Sequence, residues 1–254
     1  MKIHRLLAVL LALLTACAPA TPAPQPATLT PPARTQAPAT LRPSPTPRPP
    51  TVTPSPTLTP IRICSPLQNF DYAEIAGMVN KPFVAPRPGN DDGHHGIDLV
   101  WSIDSRPIEG AEVQAVLDGV VAAVIRNRDP YGNAVILETP YNNLPPTLIA
   151  RWGIAPGTSL YTAYAHFADA PTLSQGQAVT CGQTLGQVGN TGWSDAPHLH
   201  FETRLGPPGQ RFESMAFYTT SATAAELESY RAWRMSGLFV LCNPIEFFTL
   251  GHSG

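Results

Sequence analysis

The sequence predicts a mainly β domain with one helix near its C-terminus, preceded by a disordered N-terminal tether. Short apolar segments recur from Ile61 onward, and glycines that mark tight turns separate them. Composition delimits the domain, because fifteen of the 30 prolines fall between residues 18 and 60. The part of the chain that can form a core is therefore about residues 61–250, which is the size of one domain.

Residues 1–17 are predicted to be a signal peptide with a lipobox. Lys2 and Arg5 precede an apolar stretch, residues 6–14, that is too short to span a bilayer. Cys17 follows directly on small residues, as the lipidated cysteine of a bacterial lipoprotein does. We therefore expect an extracytoplasmic protein that is anchored to the membrane through Cys17. The alternative is an ordinary signal peptide with a chance cysteine near the cleavage site.

Residues 18–62 are predicted to be a disordered linker made mostly of Pro, Thr and Ala, and residues 63–254 to be the folded domain. The linker has no long apolar run that a core could bury. In a polyproline-like conformation of about 3.1 Å per residue, residues 18–60 would reach on the order of 130 Å. A flexible or glycosylated stalk without a defined length is the alternative.

The predicted strands follow in order along the domain. Residues 112–125 are predicted to form two strands that turn at Asp118-Gly119, a dipeptide typical of hairpins. Residues 133–138, 160–167 and 198–203 are predicted to be three further strands. Together these segments predict a compact sheet.

One helix is predicted late in the chain. Thr223 and Glu226 have the spacing of a capping box. Leu227 and Tyr230 follow at helical intervals, and Gly237 is placed to end the helix. We expect this helix to pack on the sheet.

The charge of the chain excludes one class of partner. The formal net charge is −2 and only 13% of the residues are charged. The chain therefore lacks the basic surface that nucleic acid requires, and we expect no nucleic-acid partner.

Five of the seven histidines fall in three short segments of the predicted sheet. The segments are His94 to Asp98, the residues around His166, and His198 to His200. Two imidazoles and a carboxylate are a ligand set of catalytic zinc sites, which keep the fourth position open for water or substrate. The histidines therefore predict a metal-dependent hydrolase rather than a structural metal site.

Strand alternation predicts the directions of the side chains in the third segment. Residues two apart on a strand project from the same face, so His198, His200 and Glu202 are expected to point one way. Leu199 and Phe201 are then expected to point into the core.

The same rule predicts that Tyr164 and His166 lie on one side of their strand. His95 cannot easily share the direction of its neighbour His94, so we expect it in a loop or at the rim of a groove. Gly96 is expected to let the backbone bend, so that the side chains at the two ends of the first segment converge.

At these positions the chain resembles the lysostaphin-type, or LytM-like, zinc endopeptidases, which cut peptide bonds in bacterial peptidoglycan. The resemblance covers roughly residues 82–202, and the motifs appear in the order of the family. They are His-x-Gly-x-Asp at His94, Gly96 and Asp98, Tyr-x-His at Tyr164 and His166, glycine-rich turns at Gly182, Gly186, Gly189 and Gly192, and His-Leu-His-Phe-Glu at His198 to Glu202. The fold that the resemblance implies is a small antiparallel β-sheet domain with a long substrate groove.

The resemblance implies one zinc ion per domain, bound by His94, Asp98 and His200. His166 and His198 are then the catalytic histidines that do not bind the metal, and which of them is the base is left open. Glu202 either orients a histidine or is a surface carboxylate.

The implied activity is zinc-dependent hydrolysis of peptide bonds in peptidoglycan cross-bridges or stem peptides during cell-wall remodelling. Peptidoglycan and the membrane are the expected partners, and we expect a monomer. One alternative is a non-catalytic module that binds peptidoglycan or activates another hydrolase, although the complete set of site residues argues against it. Another is a zinc carboxypeptidase or amidase of related site design. The long segments 139–159 and 206–241 leave substrate choice open, because they could alter the groove.

The cysteine count predicts one disulfide in the exported domain. With Cys17 lipidated, Cys64, Cys181 and Cys242 remain, which is an odd number. We favour a bond between Cys64 and Cys242, because both lie in Cys-x-Pro sequences at opposite ends of the domain. Cys181 lies in a glycine-rich turn and stays open as a partner of either.

Overall fold

A computed structural model describes residues 61–101 and 104–249. The predicted signal peptide, Cys17 and the linker up to residue 60 lie outside the described residues, and the domain boundaries stay predictions. Within the described ranges, no helix is long and apolar enough to cross a membrane.

Strands dominate the described part of the chain. They are β1 Val79–Lys81, β2 Ile97–Leu99, β3 Glu112–Gln114, β4 Gly119–Arg128, β5 Gly132–Pro140, β6 Ser159–Ala165, β7 Ala178–Val179, β8 Thr184–Gln187, β9 Leu199–Gly206 and β10 Val240–Cys242. The helices are α1 Tyr72–Gly77, α2 Pro146–Trp152, α3 Ala224–Arg234 and α4 Pro244–Thr249, with a 3₁₀ helix at Tyr141–Asn143.

The main sheet has eight strands, ordered β1-β2-β9-β6-β5-β4-β7, with β10 also paired to β9. Strand β6 pairs along one edge of β9, whereas β2 and β10 pair with its first and second parts. Strands β3 and β8 form a second, two-stranded sheet. All of these pairs are antiparallel. The predicted fold class, a mainly β antiparallel domain with a C-terminal helix, is confirmed, although the described residues contain four α-helices where the sequence predicted one.

Apolar side chains cover both faces of the main sheet. Leu199 and Phe201 of β9 lie in one cluster, together with Phe247 and Phe248 of α4. A second cluster contains residues of β4, alternate residues of β5 and β6, and Tyr230 and Trp233 of α3. The direction predicted for Leu199 and Phe201 is therefore correct. The polar residues that alternate with them along β9, His200 and Glu202, face the α3 side.

Helix α3 begins with the predicted capping box. The hydroxyl of Thr223 accepts a hydrogen bond from the backbone of Glu226, and the Glu226 carboxylate accepts one from the backbone of Thr223. Tyr230 and Trp233 are the buried residues of the helix. They pack into the second apolar cluster, so the helix covers the face of the sheet that carries the polar residues of β9.

The predicted hairpin at Asp118-Gly119 is wrong. Strand β3 pairs with β8, and β4 pairs with β5 and β7. Residues 115–118 cross from the small sheet to the main sheet instead of turning back. Gly119 is needed for space, since a Cβ there would lie 2.5 Å from the carbonyl oxygen of Glu138 in the neighbouring strand.

The favoured pairing of Cys64 with Cys242 is also wrong. Cys64 is bonded to Cys181, and their Cα atoms are 5.6 Å apart. The Cys64 backbone donates to the carbonyl of Val116, which holds the first residues of the domain beside the turn that contains Cys181. Cys242 lies in β10, opposite Thr203 of β9, and is a free thiol.

Candidate metal centre

Three side chains converge at the end of the β2–β9 pair. Asp98 of β2 and His200 of β9 are directly opposite each other in the strand register. Asp98 Oδ1 lies 2.8 Å from His200 Nδ1 and 3.0 Å from His94 Nε2. The two ring nitrogens are 3.2 Å apart. One ligand atom from each residue therefore lies within 4.8 Å of the others, a spacing that could hold a metal ion.

The outer hydrogen bonds of the two imidazoles fix which nitrogen faces this cluster. Nδ1 of His94 donates to the carbonyl of Pro82 at 2.8 Å. Nε2 of His200 donates to the carboxylate of Glu202 at 3.1 Å. His94 therefore offers Nε2 and His200 offers Nδ1, both facing Asp98. Metal-binding histidines make this kind of outer hydrogen bond, so the donor set fits a metal such as zinc.

Gly96 brings the two strands together below the cluster. A Cβ at this position would lie 2.4 Å from the carbonyl oxygen of Phe201 and 3.0 Å from the ring of His200. The backbone angle φ of Gly96 is not in the left-handed region. The backbone bends at His95 and Gly96, as expected, and the glycine is in addition required for close approach of the strands.

The electrostatics of the cluster favour a positive charge. Burial opposes ionisation of Asp98, but hydrogen bonds from His200 and His94 hold the pKa of its carboxyl below the usual range. Burial likewise opposes the charge on His200, yet the carboxylates of Asp98 and Glu202 raise the pKa of its imidazole to about 9. Two carboxylates around one imidazole attract a cation, and a bound metal ion would supply that charge.

The other two predicted histidines lie beside the cluster. Nε2 of His198 is 3.5 Å from Asp98 Oδ1, while its Nδ1 donates to the carbonyl of Ala196 at 2.8 Å. Nδ1 of His166 donates to the carbonyl of Thr191 at 2.7 Å. The rings of His166 and His198 are 4.5 Å apart between centroids. Each histidine thus has its Nε2 without a hydrogen when the ring is neutral.

Burial keeps both of these rings neutral near pH 7. It lowers the pKa of His166 to about 3, with a further contribution from the neighbouring His200. It also lowers the pKa of His198. Two neutral imidazoles beside a candidate metal site are able to accept and return protons.

Tyr164 and His166 do not lie on the same side, contrary to the predicted alternation. Tyr164 is fully buried, and its ring packs against Phe201 in the apolar core. Strand β6 ends at Ala165, and His166 has a φ of 68°, which turns its side chain towards the cluster. Left-handed conformations of residues other than glycine are concentrated at functional sites.

His95 is buried and does not lie at the rim of the groove. Its Nε2 donates to the carbonyl of Asp92 at 3.1 Å, and its Nδ1 accepts from Arg204 at 2.9 Å. Arg204 also binds Oε2 of Glu202 through two nitrogens, at 3.0 and 2.7 Å. Glu202 is fully buried, so it orients His200 and is not a surface carboxylate.

The structure adds site residues that the sequence did not indicate. Arg234 of α3 donates to Oδ1 of Asp91 at 2.6 Å, to the Tyr131 hydroxyl at 3.2 Å and to Oε1 of Glu202 at 3.3 Å. Tyr131 itself donates to Oε1 of Glu202 at 2.9 Å. These residues are far apart along the chain and share no motif. The helical spacing of apolar residues in α3 predicted which face packs on the sheet, but it gave no indication that Arg234 reaches the site.

A groove opens beside the cluster. Its walls include Asn80, Lys81, Pro130, Trp193, Tyr218 and Tyr230. Trp193 and Tyr218 are exposed and stack with their centroids 4.7 Å apart. The hydroxyls of Tyr218 and Tyr230 both donate to Oδ2 of Asp91, at 2.8 and 2.6 Å. Helix α3 and the segment before it therefore form one wall of the groove.

Comparison with known proteins shows which family the domain resembles. Residues 92–211 match the model of peptidase family M23. The DD-carboxypeptidase/endopeptidase Mpg of Neisseria meningitidis serogroup B (strain ATCC 13091 / M2091) is 31% identical over 166 residues, and that of Neisseria gonorrhoeae (strain ATCC 700825 / FA 1090) is equally similar. The match covers 63% of this chain and 34% of each relative, so it spans about a third of their length.

Two solved structures illustrate the structural similarity. A zinc-containing peptidase from Vibrio cholerae is 28% identical, with 49% of this chain and 32% of that chain covered and a TM-score of 0.34. The catalytic domain of lysostaphin from Staphylococcus simulans is 19% identical, with 68% and 90% covered and a TM-score of 0.38. The match to the family model confirms the predicted resemblance to the lysostaphin-type, or LytM-like, peptidases, because residues 92–211 are similar to the peptidase domain of family M23.

Proposed function

We propose that the protein is a zinc-dependent peptidase that hydrolyses peptide bonds in peptidoglycan cross-bridges or stem peptides. The observation that carries this proposal is the convergence of His94 Nε2, Asp98 Oδ1 and His200 Nδ1 within 4.8 Å. Each imidazole of this set donates a hydrogen bond from its other ring nitrogen to a protein oxygen. We assign the zinc ion to these three ligands and the catalytic roles to His166 and His198.

The choice of substrate is supported by the curated relatives. Their shared description, DD-carboxypeptidase/endopeptidase, covers removal of a terminal residue as well as cleavage within a peptide. We therefore include stem peptides with a free C-terminus among the proposed substrates. Cleavage outside the cytoplasm fits the predicted signal peptide, and we propose that lipidated Cys17 anchors the protein to the membrane.

The proposed mechanism gives separate roles to the two histidines beside the ligands. When bound, zinc would polarise the scissile carbonyl and lower the pKa of a water molecule. His198, whose Nε2 is 3.5 Å from Asp98, is the proposed base and accepts the proton of the attacking water. It then returns this proton to the leaving amine. His166 remains neutral, because burial lowers the pKa of its ring to about 3, and we propose that its Nε2 accepts a hydrogen bond from the attacking water.

A digestion experiment tests this function. Purified peptidoglycan is incubated with the zinc-loaded protein, with His200→Ala and with His198→Ala, and the released fragments are identified by mass spectrometry. We expect new amino and carboxyl termini within peptides for the unmodified protein but not for His200→Ala or His198→Ala. His252→Ala, which removes a histidine outside the three motifs, is the matched control and should retain activity.

The same experiment separates the alternatives. Identical fragments from the unmodified protein and His200→Ala would contradict the catalytic assignment. Binding to peptidoglycan without any release by the unmodified protein would favour a non-catalytic module. Release of peptides at the lactyl group of the sugar would indicate an amidase.

A further inference from the structure

One positive charge in the groove is placed beside the ligand cluster. Strand β1 pairs with β2 so that Lys81 is directly opposite Asp98. Directly opposite residues of an antiparallel pair have side chains on the same face, with Cβ atoms about 5 Å apart. Lys81 is exposed and lines the groove together with the candidate metal ligands. Its flexible four-carbon stem can carry the ammonium group along the groove wall.

Lys81 is available to an anionic ligand. The other cation of the groove wall, Arg234, is committed to the carboxylates of Asp91 and Glu202. Among the residues that the structure describes, none forms an ion pair with Lys81. The chain has sixteen basic residues, and apart from Lys2 in the predicted signal peptide all the others are arginines.

We propose that Lys81 binds a free carboxylate on the residue that follows the scissile bond. This proposal rests on the proposed function and names the substrate class of the same site. Consecutive Cα atoms are about 3.8 Å apart. With the scissile carbonyl at the ligand cluster, the α-carboxylate of the next residue lies about one residue away. Neighbouring strands lie about 5 Å apart, so the displacement from Asp98 to the opposite residue Lys81 is of comparable size.

Two kinds of peptidoglycan peptide carry this carboxylate. In a peptide that ends in two D-alanines, the residue after the scissile bond is the last one and bears the terminal carboxylate. In a cross-link made through the distal amine of a diamino-diacid, the acceptor residue retains the carboxylate at the acylated centre. One carboxylate subsite therefore admits a carboxypeptidase substrate and an endopeptidase substrate. A glycine bridge has no carboxylate at this position.

The chemistry of hydrolysis is unchanged by this subsite. Water supplies a hydroxyl group to the acyl carbon and a proton to the amine as the C–N bond breaks. Lys81 exchanges no proton with the reacting atoms. It acts by holding the leaving residue, so its loss should raise KM for substrates with the carboxylate more than it lowers kcat.

Two synthetic peptides test the proposal. Both end in D-Ala-D-Ala, one as the free acid and the other as the C-terminal amide. We expect the protein to favour the acid at least about tenfold in kcat/KM, which corresponds to about 1.4 kcal/mol. In Lys81→Met the ratio should fall to about one, and Lys81→Arg should retain most of it. Arg62→Met, which removes an exposed charge outside the groove wall, is the matched control.

Chemical labelling supplies a second measurement that does not depend on turnover. Lysine-selective acetylation followed by mass spectrometry reports on Lys81, because no other lysine occurs between residues 3 and 254. The acid peptide should protect Lys81 from acetylation, and the amide should not.

The outcomes of the two experiments are distinguishable. Equal hydrolysis of acid and amide, unchanged in Lys81→Met, would overturn the inference and leave the peptidase function standing. Protection of Lys81 by the acid alone, without any hydrolysis, would support the subsite and contradict the proposed function. No protection and no hydrolysis would contradict both.

Discussion

At the scale of single residues, the orientation of His200 depends on a carboxylate that is held from three sides. One carboxylate oxygen of Glu202 accepts hydrogen bonds from His200 Nε2 and the Tyr131 hydroxyl, and the other accepts from Arg204. Arg234 adds a third donor to the first oxygen. The attraction of Arg204, the His200 bond and the charge of Arg234 keep the pKa of Glu202 well below its usual value despite burial. The carboxylate therefore remains an acceptor, and His200 keeps Nδ1 directed at the cluster.

Arg234→Met should weaken zinc binding. Losing the guanidinium removes one donor from Glu202 and leaves the buried Asp91 without its ion pair. Outer hydrogen bonds of this kind typically contribute about 10–100-fold to metal affinity. We expect a loss in that range, measured by competition with a chelator. Arg234→Lys should recover part of it, because an ammonium keeps the charge but cannot serve three acceptors in the same fork.

Helix α3 provides the control for this prediction. The guanidinium of Arg231 lies over the ring of Phe217, 5.7 Å from its centroid, and is not part of the groove wall. Arg231→Met should therefore retain the zinc affinity of the unmodified protein. Equal losses in Arg231→Met and Arg234→Met would mean that the helix as a whole, and not the bond to Glu202, supports the site.

The sequence could predict some of these residues and not others, for a physical reason. Alternation along β9 placed Glu202 on the face of His200, because that rule needs only neighbouring residues. Two of the partners of Glu202 are Tyr131, in the turn before β5, and Arg234 of α3. Arg234 and Asp91 are 143 residues apart. Their meeting depends on how α3 packs on the sheet, and single-sequence patterns do not carry that information.

At the scale of elements, α3 is tied to the main sheet at its first turn as well as at its last. Arg128, the last residue of β4, donates to both oxygens of Glu226, at 2.7 and 2.5 Å. Glu226 also completes the capping box with Thr223. One carboxylate therefore caps the helix and fixes its start to the sheet, while Arg234 fixes its end at the candidate metal site.

Glu226→Gln should reduce stability at neutral pH and flatten its dependence on acid. The hydrogen bond from Arg128 is the main cause that lowers the pKa of Glu226 from 4.5 to about 2. Because the folded-state pKa is depressed, the carboxylate stabilises the fold above pH 4.5, and this contribution is lost as the pH falls towards 2. Denaturant unfolding at pH 7, 4 and 3 should show a gap between the two proteins that closes with acid. A constant gap would contradict the assignment.

Two elements show where local patterns stop being informative. The capping box of α3 was predicted correctly, since the bonds that define it lie within one turn. The Asp118-Gly119 pair was interpreted as a hairpin because the dipeptide is typical of such turns. The actual partners of β4 are β5 and β7 in the main sheet, and β3 belongs to another sheet. The pairing of β3 and β4 therefore depends on which strands of the two sheets are available to them, and the turn sequence between them does not determine it.

At the scale of the whole molecule, the disulfide joins the start of the described domain to a distant turn. Cys64 and Cys181 are separated by 117 positions. The Cys64 backbone is bound to Val116, and the backbone of Gly182 is bound to Ala115. The bond therefore secures both sides of the crossing between the small and main sheets.

Replacing Cys64 and Cys181 by serine should therefore lower the free energy of unfolding substantially. Cross-linking a chain over 117 positions restricts the unfolded state by up to about 4–5 kcal/mol in the chain-entropy model. We expect a loss approaching that range in urea unfolding without reductant. Cys242→Ser, which alters the free thiol of β10, should cause a much smaller change. Because the ligands of the candidate metal site lie on β2, β9 and the segment before β2, the folded double variant should retain zinc affinity. A loss of zinc binding at full stability would show instead that the disulfide supports the site and not the domain.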